Sequence, residues 1–456
     1  MNDDARLERL LADGLYDLAP SRVPDRARIQ IKAETSDVRS HPRWLALIKE
    51  RPMRTNSRLA VGSPTVRVAA IVAATMLAAV LVAGAAFAGA QLLAADDPII
   101  VDQGGGGDYT TITEAVAAAG DGDTVLVRPG TYVEAVVIDN DITLQGDGPV
   151  EDIIVTAPEQ GPTSAIEQGR SDEDPYAFLL DGSEATLSGL TLKGEPSEVF
   201  ASGGAPTLEE LVFDGVGVAY NGSQDRPAFN TIVVNNGSAA TVRGNTINGG
   251  GGIGVFDASA PLVEDNVLSG ESPHIYGFRF GDGALIRGNR IEAPNVYGIV
   301  VTDQSGDVVI EGNTITDPGN IGIYIFHGTA TIRGNHISGA GGMAINVHVP
   351  GAMVVGNELT DNEIAISFGS AGGVVAENIV RGGKAGIAIS SVDGAAVEAT
   401  ANDVEGASAR GLVILGDSPV LRDNRSCGNG ENLFVAERAT PDIDDSNEIC
   451  EDLPAD

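Results

Sequence analysis

Cysteine is almost absent: the 456-residue chain has two, Cys427 and Cys450, both within its last thirty residues. A disulfide-dense scaffold or a cysteine-based zinc module is thereby excluded for everything upstream. Tryptophan occurs once, as Trp44, and aromatics make up 4% of the chain, so packing rests on aliphatic side chains. Cations are scarce as well, with 28 Lys+Arg against 64 Asp+Glu and a formal net charge of −36. The imbalance is uneven. Residues 1–67 hold 13 Lys+Arg and 9 Asp+Glu, whereas the remainder holds 15 and 55, about −40. Such a body repels nucleic acid and anionic lipid and favours solubility and cations, so nucleic acid is excluded as a partner.

Charge is missing altogether from Val68 to Ala95, "VAAIVAATMLAAVLVAGAAFAGAQLLAA". About 20 apolar residues cross a bilayer, so this run predicts a transmembrane helix over 67–95. Arg51, Arg54, Arg58 and Arg67 precede it, and Asp96 and Asp97 come directly after it. Basic residues gather on the cytoplasmic side, so the N-terminus is expected inside and the acidic bulk outside, in a single-pass protein of the cell membrane. A cleaved leader ending at "AFA" (86–88) is the alternative, but leaders have shorter apolar cores closer to residue 1. Residues 1–66 form a stub in which Leu7, Leu10, Leu11, Leu15 and Leu18 keep helical spacing, while Pro20, Pro24, Pro42 and Pro52 break the rest of it into short pieces. The stub resembles the juxtamembrane segments of bacterial single-pass proteins related to anti-sigma factors, without cysteines for a zinc site. It is too small for a core of its own, and its partner is not legible.

Helical periodicity is lacking downstream, and a repeat takes its place. An apolar run carries an asparagine at 245, 266, 289, 313, 335, 357, 378, 402 and 424, at intervals of 21 to 24 residues. Some ten residues before each lies a second apolar run, such as "GIGVF" (252–256), "YGFRF" (276–280) and "IGIYI" (321–325). A period near 22 with strand-like runs predicts a parallel β-helix over 98–440 with a C-terminal cap or tail, 441–456. Alternation turns Ile253/Val255, Phe278/Phe280, Ile299/Val301 and Ile323/Ile325 inward. Asn245, Asn266, Asn289, Asn313, Asn335, Asn357, Asn378, Asn402 and Asn424 then stack as a buried ladder that satisfies a polar corner. Irregular rungs are expected at 141–148, 185–194, 206–215 and 230–237, with an acidic loop at 156–178.

Before the repeat, Thr111 and Glu114 form a capping box that opens a short helix, "ITEAVAAA", ending at Gly120. Asp102, Gly104 to Gly107, Tyr109, "VLVRPGTYVEAV" and "ITLQGDG" resemble the N-terminal cap of pectin methylesterases. They are equally similar to the opening of bacterial surface proteins of the pectin-lyase-like superfamily. The resemblance spans roughly residues 98–440 and implies an all-β, right-handed parallel β-helix. At the other end, one bond between Cys427 and Cys450 would staple the C-terminus, the alternative being two free thiols.

Most catalytic motifs of that superfamily are missing. There is no "DFxFG" or "GRPW" as in pectin methylesterases, and of the "NTD", "DD", "GHG" and "RIK" rungs of polygalacturonases the nearest matches are "FHG" (326–328) and "RIE" (290–292), without the aspartates around them. A copper-delivery role has no Met/His/Cys cluster behind it. The repeat still permits spatial reasoning. Spacing places Asp257, Asp282, Asp303 and His327 in one column just after the strands, with His348 one position earlier. Arg279 and Tyr324 point outward beside Phe256 and Phe326. Arg279, Asp282, Asp303 and His327 are therefore the acid/base candidates, and Asp257, Tyr324, Phe326 and His348 the binding candidates. Asp257, Asp282 and Asp303 form a candidate calcium site. The plainer reading is that Asp and His merely occupy polar turns. The sequence thus supports a membrane-anchored, non-catalytic β-helix presenting a surface to polysaccharide or envelope ligands. The alternative is a calcium-assisted polysaccharide lyase, hydrolase or epimerase.

Overall fold

A computed structural model describes residues 97–158, 176–194, 198–216, 231–249, 251–270, 274–302, 306–391, 395–416 and 418–453. The stub, the apolar run 68–95 and most of the acidic loop lie outside them. Among the described residues no helix is long and apolar enough to cross a membrane.

Residues 98–453 wind into a parallel coil whose rungs pair into three sheets. In chain order within a rung, sheet 1 holds 15 strands from Ile99–Val101 to Asp442–Ile443. Sheet 2 holds 14, from Gly130–Val133 to Glu448–Ile449, and sheet 3 holds 13, from Val136–Ile138 to Glu431–Val435. Every strand pair is parallel, and each strand pairs with its equivalent one turn away, as in Ile323 with Ile345. The coil continues past residue 440, since Asp442–Ile443 and Glu448–Ile449 each pair with the rung before.

Side-chain stacking explains why the period is kept. Ile253, Ile275, Ile299, Ile323, Ile345, Ile366 and Ile387 are register partners in sheet 3, and all are fully buried. A β-branched residue suits a pleated surface, and each such burial contributes about 1.5–3 kcal/mol. The asparagine ladder runs along the corner between sheets 1 and 2. Asn313 donates through Nδ2 and its backbone N–H to Oδ1 of Asn335, both at 3.0 Å, and Asn335 does the same to Asn357 at 3.0 and 2.9 Å. The ladder extends one rung beyond the nine expected positions, because Asn424 bonds Asn447 in the same way. Asn362 and Asn429 satisfy a second corner, donating to the carbonyls of Ile337 and Val404.

The first rung is capped and the last ones are stapled. The helix Ile112–Ala118 buries Ile112, Ala115 and Val116 against the first rungs, with Thr111 accepting from the Glu114 amide at 3.3 Å. Glu134 also accepts from the amides of Ile112 and Thr113, at 2.9 and 2.8 Å, which supplies partners for otherwise orphaned first-turn donors. At the far end a disulfide joins Cys427 to Cys450, adjacent rungs with Cα atoms 4.9 Å apart.

One register differs from the spacing-based expectation. Ile275 and Gly277, not Phe278 and Phe280, continue the inward columns of Ile253 and Val255. Phe278 faces outward, while Phe280 lies beyond the strand and turns back into the core at 2% exposure. A Cβ on Gly277 would overlap the Phe280 ring. The missing side chain of Gly277 therefore makes the space that Phe280 fills, and the pattern shifts by three residues.

Candidate functional site

That shift decides which candidates meet. Asp257 stands opposite Arg279, whose carbonyl accepts from the next amide, Ala258, at 2.8 Å. Asp282 lies three positions further on, where its Oδ1 accepts from the Asp307 amide at 3.1 Å. The expected column of Asp257 and Asp282 is thus not formed, and with it the stacked carboxylates expected to hold calcium are lost. Asp303 falls outside the described residues. Asn236, Asp257 and Arg279 share the turn position after the strand and have φ of 55°, 54° and 63°. Gly182 and Gly203 hold the same position earlier with φ of 69°. The left-handed geometry is thus a requirement of the turn, met by side chains at some cost in strain.

Tyr324, Phe326, His327 and His348 do come together. In sheet 3 the inward residues alternate with an outward row, so Tyr324 in the strand Ile321–Ile325 and Phe326 just past its end project on either side of buried Ile325. Their ring centroids are 5.8 Å apart. Tyr297 stacks on Tyr324 from the preceding rung at 5.7 Å and 22°. His348, from the next rung, meets Tyr324 and Phe326 edge-on at 5.9 and 6.2 Å, and exposed His327 lies 4.4 Å from Phe326. Earlier on the same face, Arg279 sits over Phe278 at 5.0 Å, and Phe256 meets Tyr276 at 6.2 Å.

Sequence reasoning missed Asn346. It is the register partner of Tyr324 and is 3% exposed, and its Oδ1 has no hydrogen-bond partner. A buried amide oxygen left unpaired is costly, which makes it the polar atom of this face most in need of a donor. Its signal is the polar break in "MAINV", which alternation alone does not distinguish from an ordinary solvent-facing residue. Around Tyr324 the face therefore offers ring surfaces, two imidazoles and the unsatisfied acceptor of Asn346. It can hold an amphipathic ligand, but no pair of carboxylates is placed for acid/base work among its described residues.

A shallow cleft of about 610 Å³ opens elsewhere, at the ladder corner, lined by Glu264, Arg287, Glu311, Arg333 and a row of glycines. Here Arg287 Nε donates to Glu264 at 2.8 Å and Arg333 Nε to Glu311 at 2.7 Å. The charges alternate from rung to rung and pair with one another, so this cleft reads as a register-holding column rather than the site.

Fold and face together define a β-helical coil with an aromatic strip along one sheet. A right-handed β-helix family model matches residues 176–330 and 278–426, more than half of the chain, and the chain belongs to that family. No curated protein matches the sequence. Similar solved structures include the catalytic domain of a GH87 alpha-1,3-glucanase in complex with nigerose, at 10% identity and a TM-score of 0.47, covering 77% of this chain and 68% of that one. A PL6 alginate lyase in complex with a trisaccharide has 16% identity and a TM-score of 0.40, with coverages of 77% and 88%. A double mutant of the periplasmic alginate epimerase AlgG has 14% identity and a TM-score of 0.34, with coverages of 70% and 77%. The likeness is one of fold.

Proposed function

We propose that this protein is a membrane-anchored, extracellular β-helix that binds polysaccharide along the outer face of sheet 3 without transforming it. The observation that carries the reading is the stack of Tyr297, Tyr324 and Phe326 beside the unpartnered Oδ1 of Asn346. A sugar ring has apolar C–H faces and polar hydroxyl edges, which match flat aromatic surfaces flanked by one acceptor. Catalysis is disfavoured because Asp257 and Asp282 are separated along the turn. Anchoring is supported by the uncharged run 68–95 with arginines before it and aspartates after it.

The test is titration of the full-length protein with a panel of neutral and uronate oligosaccharides of two to three units, beside the Tyr324→Ala/Phe326→Ala variant. The variant should bind about tenfold more weakly or worse, equivalent to roughly 1.4 kcal/mol. Equal affinity of variant and parent, or no binding by the parent, would reject the reading. Release of shortened or unsaturated sugar during the titration would favour the enzymatic alternative.

A further inference from the structure

The inward columns of the coil end in the open. Leu412, Ile414 and Leu421 are fully buried, but their register partners on the last rung, Leu433, Val435 and Ile443, are not. Val435 and Ile443 are 38% and 36% exposed while holding core positions. Among the described residues no strand lies beyond Glu431–Val435, Asp442–Ile443 or Glu448–Ile449, each the last of its sheet. The longest of these edges belongs to sheet 3. The Ile414 carbonyl points along the coil and accepts from the Ala436 amide. Val435, the register partner of Ile414, directs its own backbone groups the same way, off the end. The tail 450–453 ties to the start of this strand, where the Asn432 amide donates to Asp452 Oδ1 at 2.7 Å and Asn432 Nδ2 to the Glu451 carbonyl at 2.8 Å. An apolar column and a strand edge left open at one end make a template for a further strand.

Charge around this end decides which strand fits it. Residues 436–453 hold seven carboxylates and one cation, Arg438. Arg422 pairs with Asp442 and Asp444, and Arg425 with Glu448. Exposed Glu437, Asp445 and Glu451 have no ion-pair partner among the described residues. A second copy docked end to end would set these acids against themselves. From these observations we infer that the open end of the coil is a docking surface for a basic, extended segment of another protein, which adds a strand beside residues 433–435. Its apolar side chains lie on Leu433 and Val435, its main chain pairs with the free edge, and its Lys or Arg side chains face the acids. The end of the coil is separate from the outer face of sheet 3, so this partner is independent of the saccharide.

The probe is a short labelled peptide, capped at both ends and alternating lysine with valine, titrated with the full-length protein. Two controls accompany it: an alternating glutamate–valine peptide, and the lysine–valine peptide N-methylated throughout so that its main chain cannot donate. The basic peptide should bind at least about tenfold more tightly than either control, and its affinity should fall as salt is raised. Val435→Lys should weaken that binding at least about tenfold. Because Val435 is already partly exposed, the unfolding midpoint of this variant should stay close to that of the parent. Glu437→Lys/Glu451→Lys changes exposed side chains alone, should weaken binding to a similar extent, and serves as the test if Val435→Lys disturbs the fold. No binding of the basic peptide, equal binding of either control, or full affinity in both variants would overturn the inference. A concentration-dependent dimer of the parent that Val435→Lys dissociates would overturn it as well, because the end would then be occupied by a second copy.

Discussion

Asn335 and Asn235 are the same residue type with opposite fates. Asn335 donates through Nδ2 to Oδ1 of Asn357 and to the carbonyls of Ile310 and Arg333, and its Oδ1 accepts twice from Asn313. Removing its amide would leave the Asn313 donors and the buried Ile310 carbonyl short of a partner. Asn335→Ala is therefore expected to destabilise the protein by about 1–3 kcal/mol, read as a lowered midpoint in chemical denaturation. An exposed asparagine would cost less than about 0.5 kcal/mol, so a negligible shift would contradict the burial of the ladder. At Asn235, whose Oδ1 and Nδ2 have no hydrogen-bond partner, the same kind of exchange has no such bond to break, so its midpoint should move less than that of Asn335→Ala.

Between rungs, charge pairs act across strands. Near the C-terminus, Asp403 lies between Arg381 and Arg425 on three successive strands of sheet 2, pairing with Arg381 and accepting from Arg425 Nη1 at 2.9 Å. Burial disfavours the Asp403 charge, but the hydrogen bonds from Arg381 and Arg425 outweigh it and hold its pKa below the ordinary 3.8. A depressed carboxyl stabilises the fold fully above the unfolded value and loses that contribution as the pH falls through the lower folded value. These side chains are about one-third exposed, so the contribution is modest. Unfolding midpoints measured from pH 6 to pH 2 should fall at the acid end, and Asp403→Asn should flatten that limb. An unchanged limb would show that the pair contributes nothing. Elements of this kind are partly legible in the sequence. The ladder and the seven-isoleucine column are consequences of a period of about 22 residues, because stacking requires equivalent residues one turn apart. The rung at 275–280 is not legible, since Gly277 and Phe280 exchange space across a bend that alternation cannot represent. The aromatic part of the site is readable as outward positions on one strand. The orphaned amides are not, because only three-dimensional accounting separates an asparagine with partners from one without.

At the scale of the whole molecule, the coil and the segment before it have different physical demands. Fifteen strands stacked in sheet 1 make a coil about 70 Å long, and its acidic surface resists contact with anionic lipid. The uncharged stretch 68–95 has the opposite character, and only a few residues separate its end from the first strand at Ile99. If that stretch spans the bilayer, the acidic body belongs to the side away from the cytoplasm, where its charge keeps it solvated. In the proposed topology the orientation would follow from the 13 Lys+Arg in residues 1–67, four of them the arginines at 51, 54, 58 and 67 next to the apolar run. Residues 1–66 should accordingly be cytoplasmic and 98–456 external. Protease added to intact cells carrying tags at both ends should digest the C-terminal tag and spare the N-terminal one. A protected C-terminus would reverse the orientation and put the proposed polysaccharide-binding face on the wrong side of the membrane. A secreted protein whose N-terminal tag is lost during export would point to cleavage near "AFA" (86–88), with the coil released rather than anchored.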